Sequence, residues 1–234
     1  CAAAPAFASG LERTAQSLST LFEKGRYLAM DGYIARPSVQ GSDALGYSTG
    51  NITPRHSQLG FGYKQDVTPE ISMAVQLTRP FGLDIAFNHQ ASPLFGGTEI
   101  RLSTLELQGA GRYRLNPQWS VHGGLRLQES EGEVAFRGLA YGAANGYHVK
   151  FARSTAPGYL LGVAYEQPDI ALRVVATYYS AIKHQLSTKE NALPGVTQTA
   201  STSPQTFNLQ LQTGITASTM LFGQIRWGNW EQFQ

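Results

Sequence analysis

The sequence predicts an antiparallel transmembrane β-barrel with a short helical segment near its N-terminal end. Three observations predict it: apolar and polar residues alternate along about nine segments, short and long connections alternate between them, and one hairpin pattern recurs about every fifty residues. In each copy of the hairpin a tyrosine stands just before a short polar turn, at Tyr63, Tyr113 and Tyr165. The alternation predicts an all-β protein, and the other two observations favour a barrel.

The composition excludes some classes of protein and leaves this one open. No stretch approaches the roughly 18 consecutive apolar residues that a spanning helix needs. A barrel strand escapes that test, because only every second residue faces lipid. The net charge of +2 gives no reason to expect a nucleic-acid partner.

The N-terminal residues 1–8, CAAAPAFA, resemble the end of a signal peptide. Small residues stand at positions −3 and −1 of a cleavage point after Ala8. An alternative interpretation makes Cys1 the lipidated first residue of a lipoprotein. Either interpretation predicts export, and the single cysteine excludes a disulfide within the chain. We expect the chain to be a fragment, clipped at both ends.

Residues 9–25, SGLERTAQSLSTLFEKG, are the only stretch with a helical pattern. Leu11, Leu18, Leu21 and Phe22 form a partial helical stripe, and Gly25 could end the helix.

In the rest of the chain, 26–234, the alternating pattern predicts strands, and we expect these to form a partial transmembrane barrel. The predicted strands lie near 26–36, 58–65, 71–79, 99–114, 119–135, 159–166, 170–183, 205–214 and 219–233.

The connections between these strands alternate strictly in length. The short connections are 66–70, 115–118, 167–169 and 215–218. The long connections are 37–57, 80–98, 136–158 and 184–204. Outer-membrane barrels have short periplasmic turns at one end and long outer loops at the other, whereas a sandwich or a propeller has no reason to place every long loop at one end.

The two faces of each predicted strand differ in polarity. In the second strand Leu59, Phe61 and Tyr63 oppose Gly60, Gly62 and Lys64, and the third, fifth and eighth strands alternate in the same way. A soluble sandwich would alternate as well. The three tyrosines in register, with Trp119 across a turn from Tyr113, favour a barrel, because amphipathic rings form girdles at the lipid–water interface.

Several stretches together resemble the FadL-type outer-membrane transporters of long-chain fatty acids and other hydrophobic compounds. They are SGLERTAQSLSTLFEKG, RPFGLDIAFN, YRLNPQWSVHGGLRL, GYLLGVAYEQPDIALRVVATYYSAIKH and SPQTFNLQLQTGITASTMLFGQIRWGNWEQF, in this order. The resemblance implies a fourteen-stranded barrel in a Gram-negative outer membrane, here lacking C-terminal strands, with residues 9–25 as a short hatch. It also suggests a monomer. Many family members carry an Asn-Pro-Ala motif in the hatch, and this sequence has none.

The resemblance implies passive transport, in which a hydrophobic ligand is captured by outer loops, bound in the lumen and released sideways at a kinked third strand. The third predicted strand runs into Pro80-Phe81-Gly82. Pro80 cannot donate to a strand ladder and Gly82 frees the backbone, so pairing should break there. The break is either a lateral opening beside Pro80 and Gly82 or an ordinary start of a long loop.

The candidate ligand-binding residues lie in loops, in the lumen and in the hatch. In the loops these are Phe81, Leu94, Phe95 and Phe136, because apolar residues in exposed loops either form a groove for a hydrophobic ligand or pack against a neighbouring loop. Arg137 in the same loops is a possible partner for a carboxylate. In the lumen Arg126 could hold a carboxylate or could pair with a glutamate such as Glu106. Leu21 and Phe22 could line the pocket or simply anchor the hatch.

No enzymatic site can be assembled from the sequence. The five histidines show no metal-ligand spacing, and no Ser–His pair has a third polar partner. We therefore predict no catalytic residue, no metal and no cofactor. The expected partners are a hydrophobic small molecule, outer-membrane lipids and lipopolysaccharide. The alternatives are a general polar porin and a structural or adhesive surface barrel.

Overall fold

The computed structural model describes residues 11–14, 16–216 and 218–230. The predicted signal-peptide remnant, with Cys1 and the cleavage point, lies outside these residues, as do parts of the predicted hatch and of the last strand. Among the described residues, no helix has the length and apolar character needed to cross a membrane.

In the described part of the chain, twelve antiparallel strands form one sheet that curls into a half-barrel. The strands are β1 (Tyr27–Ala35), β2 (His56–Asp66), β3 (Ile71–Thr78), β4 (Gly82–Ala86), β5 (Glu99–Arg114), β6 (Trp119–Ala135), β7 (His148–Gln167), β8 (Leu172–Tyr179), β9 (Ile182–Glu190), β10 (Thr197–Ser203), β11 (Thr206–Thr216) and β12 (Thr219–Gly228). Short 3₁₀ helices span Ser19–Phe22, Leu139–Ala144 and Pro168–Ile170.

The strands follow nine paths across the wall, which confirms the predicted barrel architecture. Three paths are interrupted and contribute two strands each, namely β3 with β4, β8 with β9, and β10 with β11. All four turns at one end of the sheet are short, and the connections at the other end are longer.

Three predicted long loops are shorter than expected. Strand β7 begins at His148, β4 lies within the predicted loop 80–98, and the predicted loop 184–204 is mostly the hairpin of β9 and β10. These segments lie beyond the apolar band, where outward residues such as Lys150 and Arg153 are also polar. The alternation that identifies a strand is therefore lost there.

The protein is apolar outside and polar inside, as the strand faces predict. Leu59 and Leu125 point outward and are 78% and 75% exposed, whereas Lys64, Glu106 and Gln128 point inward and are fully buried. Tyr63, Tyr113 and Trp119 are half exposed near the short turns, and the rings of Trp119 and Tyr165 are 5.0 Å apart. This arrangement suits a wall that faces lipid and ends in an aromatic girdle.

The N-terminal segment (residues 11–14 and 16–25) lies inside the curve of the sheet. It contains one 3₁₀ turn, Ser19–Phe22, so the predicted helix over 9–25 is wrong for the described part. Wall side chains bind the backbone of this segment: the hydroxyl of Tyr179 donates to the carbonyl oxygen of Gln16 (2.6 Å), as does Nδ2 of Asn208 (3.1 Å). A chain whose carbonyls accept from the wall does not need a helix to satisfy them.

Apolar side chains of this segment form the core of the molecule. Leu18, Leu21 and Phe22 are buried against inward residues of the wall, which are Ala74, Ala110, Leu160, Ala164, Val175 and Tyr179. The small alanines leave room for the segment inside the curve.

Candidate functional site

The wall is interrupted between β3 and β4. Thr78 at the end of β3 pairs with Glu106, and Gly82 at the start of β4 pairs with Ser103. Three residues of this path therefore oppose two of β5, which is a β-bulge. The predicted break at Pro80 and Gly82 is present in the fold. Pro80 has no N–H that the bulge could leave unpaired, and the amide of Phe81 donates to the hydroxyl of Thr104 (3.0 Å).

The interruption opens the ladder on the side of β2. Residues Phe61–Asp66 of β2 pair with β3, whereas in the described part of the chain no ladder joins residues 56–60 to β4. The side chain of Gln58 reaches across and donates to the carbonyl oxygen of Arg79 (3.2 Å). We call this place the wall break: residues 56–60 on one side and 79–84 on the other.

An apolar cavity of about 230 Å³ lies inside the sheet next to the wall break. Its apolar lining residues are Leu11, Phe81, Leu102, Val134, Phe151, Leu186, Pro204 and Trp230. Small polar residues complete it, among them Thr104, Ser130 and Ser201. Phe81 and Trp230 meet edge to face with their ring centroids 5.7 Å apart. A mostly apolar cavity with a few polar groups is the usual form of a small-molecule site.

The long connections carry an aromatic cluster above this cavity. The loop cluster consists of Phe87, Phe95, Phe136, Tyr141 and Tyr147. Its tightest pair is stacked at 4.6 Å, between Phe136 and Tyr141. All five rings are partly exposed, so the loop cluster is accessible from the outside.

Hydrogen bonds tie the connections 87–98 and 136–147 together beneath the loop cluster. Leu139 N donates to the carbonyl oxygen of Pro93 (3.0 Å) and Ala140 N to that of Leu94 (3.0 Å). The hydroxyl of Thr98 donates to the carbonyl oxygen of Arg137 (2.8 Å). The two connections therefore form one ordered surface.

Asp43 joins the connection 36–55 to the same surface. The hydroxyl of Ser92 donates to its Oδ2 (2.6 Å), and the amides of Leu45 and Tyr47 donate to its Oδ1 (2.9 and 3.0 Å). The bond from Ser92, supported by these backbone amides, holds the pKa of Asp43 below its ordinary value of 3.8.

The predicted lumenal arginine has an acidic partner inside the molecule. Arg126 donates to Glu106 from Nη2 (2.7 Å) and Nε (3.1 Å), and from Nη1 to the carbonyl oxygen of Ser180 (2.9 Å). Its guanidinium lies 5.1 Å from the ring centroid of Tyr179. A ligand carboxylate would have to compete with Glu106 for Arg126.

The other predicted residues fall into three places. Phe81 lines the 230 Å³ cavity. Leu94, Phe95, Phe136 and Arg137 belong to the connections around the loop cluster, where Nη1 of Arg137 donates to the carbonyl oxygen of Phe136 (3.0 Å). Leu21 and Phe22 lie in the core, away from the cavity lining.

Sequence reasoning missed most of the cavity. Leu102 and Val134 lie on predicted strands, on the face that also carries polar residues such as Thr104. An apolar side chain on this polar inner face was a signal from which the cavity could have been predicted. Phe151 and Leu186 lie in segments predicted as loops, where no register was available.

No group of three or more potential metal ligands is found among the described residues. The hydroxyl of Ser120 accepts from Nε of Arg112 (2.9 Å), while Nε2 of His122 lies 2.9 Å from the hydroxyl of Thr177. Ser120 and His122, which lie two residues apart on the inner face of β6, are thus engaged with other partners.

Comparison with known proteins identifies one family and several solved structures with a similar fold. The family model described as outer membrane protein transport protein (OMPP1/FadL/TodX) matches residues 8–233. A FadL homologue from Pseudomonas aeruginosa matches with a TM-score of 0.66 and 14% identity, over 92% of this chain and 63% of that one. A search of curated proteins found no significant match.

Two toluene transporters also resemble the chain. TbuX from Ralstonia pickettii matches with a TM-score of 0.63 and 12% identity, over 90% of this chain and 64% of that one. TodX from Pseudomonas putida matches with a TM-score of 0.56 and 11% identity, over 88% of this chain and 60% of that one. At these identities the likeness shows a shared fold. The chain spans less than two thirds of the length of each of these structures.

Proposed function

The chain belongs to the OMPP1/FadL/TodX family of Gram-negative outer-membrane transport proteins, and from this premise we propose that it carries hydrophobic small molecules passively across the outer membrane. The observation that supports the proposal most is the apolar 230 Å³ cavity, because many of the other inward side chains of the wall are polar. An apolar cavity favours an apolar ligand over water or ions.

The ligand would follow a path of three stations. The loop cluster, with Leu94 and Arg137 beside it, captures the molecule from outside. The cavity at Phe81 binds it within the lumen. The wall break at Pro80 and Gly82 releases it sideways into the membrane, where an apolar molecule is favoured.

The cavity volume favours a compact ligand such as a monoaromatic hydrocarbon. An engineered cavity of about 150 Å³ in another protein takes up benzene, so 230 Å³ is ample for one substituted ring. The related TbuX and TodX structures are those of toluene transporters.

A long-chain fatty acid is the second candidate ligand. It is favoured by Arg137, whose side chain lies beside the loop cluster with a guanidinium that can hold a carboxylate. Arg126 is a weaker candidate for this role because Glu106 already occupies two of its donors.

Contact with outer-leaflet headgroups is supported by the charged rim above the apolar band. Its exposed cations on the outer face are Lys150 and Lys189, together with Arg101 and Arg153. Arg101 pairs with Glu99 (3.1 Å), Arg153 pairs with Glu129 and Glu131 (3.2 and 3.3 Å), and Glu133 stands opposite Lys150 on β6. Lys150 and Lys189 stand directly opposite each other on β7 and β9. Like charges in such a pair repel unless an anion lies between them, and a lipopolysaccharide phosphate would supply one.

The experiment is uptake of radiolabelled toluene and oleate by cells that carry the full-length protein in their outer membrane. Leu186→Trp fills the cavity, and we expect it to reduce uptake about tenfold or more. The matched control is Leu125→Trp, which places the same side chain on the lipid face and should leave uptake unchanged.

Two results would contradict the proposal. Steady ionic conductance in planar bilayers, with no uptake of either compound, would indicate a polar porin. Binding of a partner at the loops, with no uptake, would indicate an adhesive or structural barrel.

A further inference from the structure

The N-terminal segment is attached to the wall break by its backbone. Arg13 N donates to the carbonyl oxygen of Pro80 (2.8 Å), and Gly82 N donates to that of Leu11 (2.8 Å). Glu12 and Phe81 form an antiparallel bridge between these bonds. Residues 11–13 thus pair with 80–82 where the strand ladder of the wall is interrupted.

The side chain of Arg13 spans the wall break. Its Nε donates to the carbonyl oxygen of Gly82 (3.0 Å) and its Nη2 to Oδ2 of Asp84 (3.0 Å) on one side. Its Nη1 donates to Nε2 of His56 (2.6 Å) on the other. One guanidinium therefore joins β2 to β4, the two strands that no ladder connects. The planar fork of arginine is suited to several acceptors at once.

Gly82 is the residue that lets Arg13 lie flat against the backbone. A Cβ at Gly82 would stand 3.1 Å from Nε and 3.3 Å from Cγ of Arg13. Tyr33 supports the arrangement from β1, because its hydroxyl contacts the carbonyl oxygen of Arg13 (2.9 Å) and Oε1 of Gln58 (3.1 Å).

Arg13 stands between the apolar cavity and the outside of the wall. A second cavity, of about 420 Å³, lies at the wall break and is lined by Arg13, His56 and Asp84. Both cavities are lined by Phe81 and Gly82. A molecule that leaves the apolar cavity through the wall break has to pass the guanidinium.

We propose that Arg13 is the latch of the wall break: its contacts with Gly82, Asp84 and His56 keep the lateral exit shut, and their release opens it. The role as an exit latch rests on the proposed function, whereas the closure of the wall by Arg13 does not. Apolar ligands offer no acceptor to the guanidinium, so the latch opens by moving with the N-terminal segment. Arg13 is a gating residue and contributes nothing to the affinity for an apolar ligand such as toluene.

The test compares Arg13→Ala, Arg13→Lys and Arg55→Ala in the full-length protein. Arg55 is an exposed arginine next to His56 and serves as the matched control. Two measurements decide the test: uptake of toluene and oleate by cells, and hydrogen exchange of the Gly82 amide in the purified protein. Toluene binding to the purified protein is a third measurement, which shows whether the cavity is intact.

We expect Arg13→Ala to raise the initial uptake rate about fivefold and Gly82 exchange about tenfold, with toluene binding unchanged. Arg13→Lys should lie between Arg13→Ala and the wild type, because an ammonium keeps the attraction to Asp84 and loses the fork. Arg55→Ala should match the wild type in both measurements.

Other outcomes separate the latch from the transport proposal. In one of them the wild type takes up ligand, while Arg13→Ala shows faster Gly82 exchange without faster uptake. That result would overturn the role of Arg13 as an exit latch and leave it as an anchor of the N-terminal segment. Unchanged exchange in Arg13→Ala would overturn the closure of the wall by Arg13. Absence of uptake by the wild type would refute the proposed function, and the exchange of Gly82 would then decide the closure alone.

Discussion

At the scale of single residues, the lumen is held together by charges that are buried and paired. Arg126 and Glu106 have side chains that are 1% and 0% exposed, and Nε2 of Gln128 donates to the same carboxylate (2.7 Å). Taking such a pair out of water is costly, and removing one member leaves an uncompensated charge. Because the inside of the sheet is polar, the stability of the fold depends on both members of this buried ion pair.

We predict that Glu106→Gln lowers the free energy of unfolding by about 3–5 kcal/mol, because Arg126 loses the charge that compensates it. Urea unfolding of the full-length protein in detergent micelles measures this change. Glu99→Gln breaks an exposed pair with Arg101 and should cost about 0–1 kcal/mol. Equal losses in the two variants would show that the buried pair has no special role.

At the scale of the elements, the connections are held in place by a few polar contacts to the neighbouring connection. Asp43 is the clearest case, because its carboxylate accepts from Ser92 of the next long connection and from two amides of its own. A carboxylate that accepts three hydrogen bonds keeps its charge to lower pH than a free one.

The lowered pKa of Asp43 predicts a pH-dependent loop surface. A depressed pKa stabilises the folded state above the ordinary value of 3.8, and this stabilisation is lost as the pH falls through the lower folded pKa. We expect the amides of Leu45 and Tyr47 to be protected from hydrogen exchange at pH 6 and to lose relative protection near pH 3. Asp43→Asn should remove the pH dependence; its persistence in that variant would assign it to another group.

Elements within the apolar band could be predicted from the sequence, and those beyond it could not. Alternation identified β2, β3, β6 and β11 with the correct faces, because one face meets lipid and the other the polar lumen. The outer faces of β9 and β10 are mostly polar, and β4 alternates over only five residues, so these three strands carry too little of that pattern to be identified.

The candidate site was predicted in part for a similar reason. Proline chemistry is local, and it identified the interruption at Pro80 and Gly82. The cavity depends on register and on contacts between distant segments, so Phe151, Leu186 and the role of Arg13 required the fold. The N-terminal segment was predicted as a helix because its hydrogen-bond partners belong to the wall, which the local sequence does not reveal.

At the scale of the whole molecule, the loop cluster lies in the long connections, and the cavity and the wall break share Phe81 and Gly82. Under the proposed function, the cavity is the part of the path that selects ligands by size, because the loop cluster is an exposed surface and the wall break is the proposed exit. Ligand size should therefore be controlled by the inward residues of β5, β6, β7 and β9, and lipid-facing residues of the same strands should have no effect.

We predict that Phe151→Ala shifts the preference of the full-length protein from toluene toward naphthalene by about tenfold, because removing the ring enlarges the 230 Å³ cavity by the volume that a second fused ring requires. Uptake of the two labelled compounds in competition measures the ratio. Leu127→Ala shortens a lipid-facing side chain of β6 and should leave the ratio unchanged. If both variants kept the wild-type ratio while toluene was still taken up, the cavity at Phe81 would lie off the transport path, and selection by size would have to occur at the loop cluster.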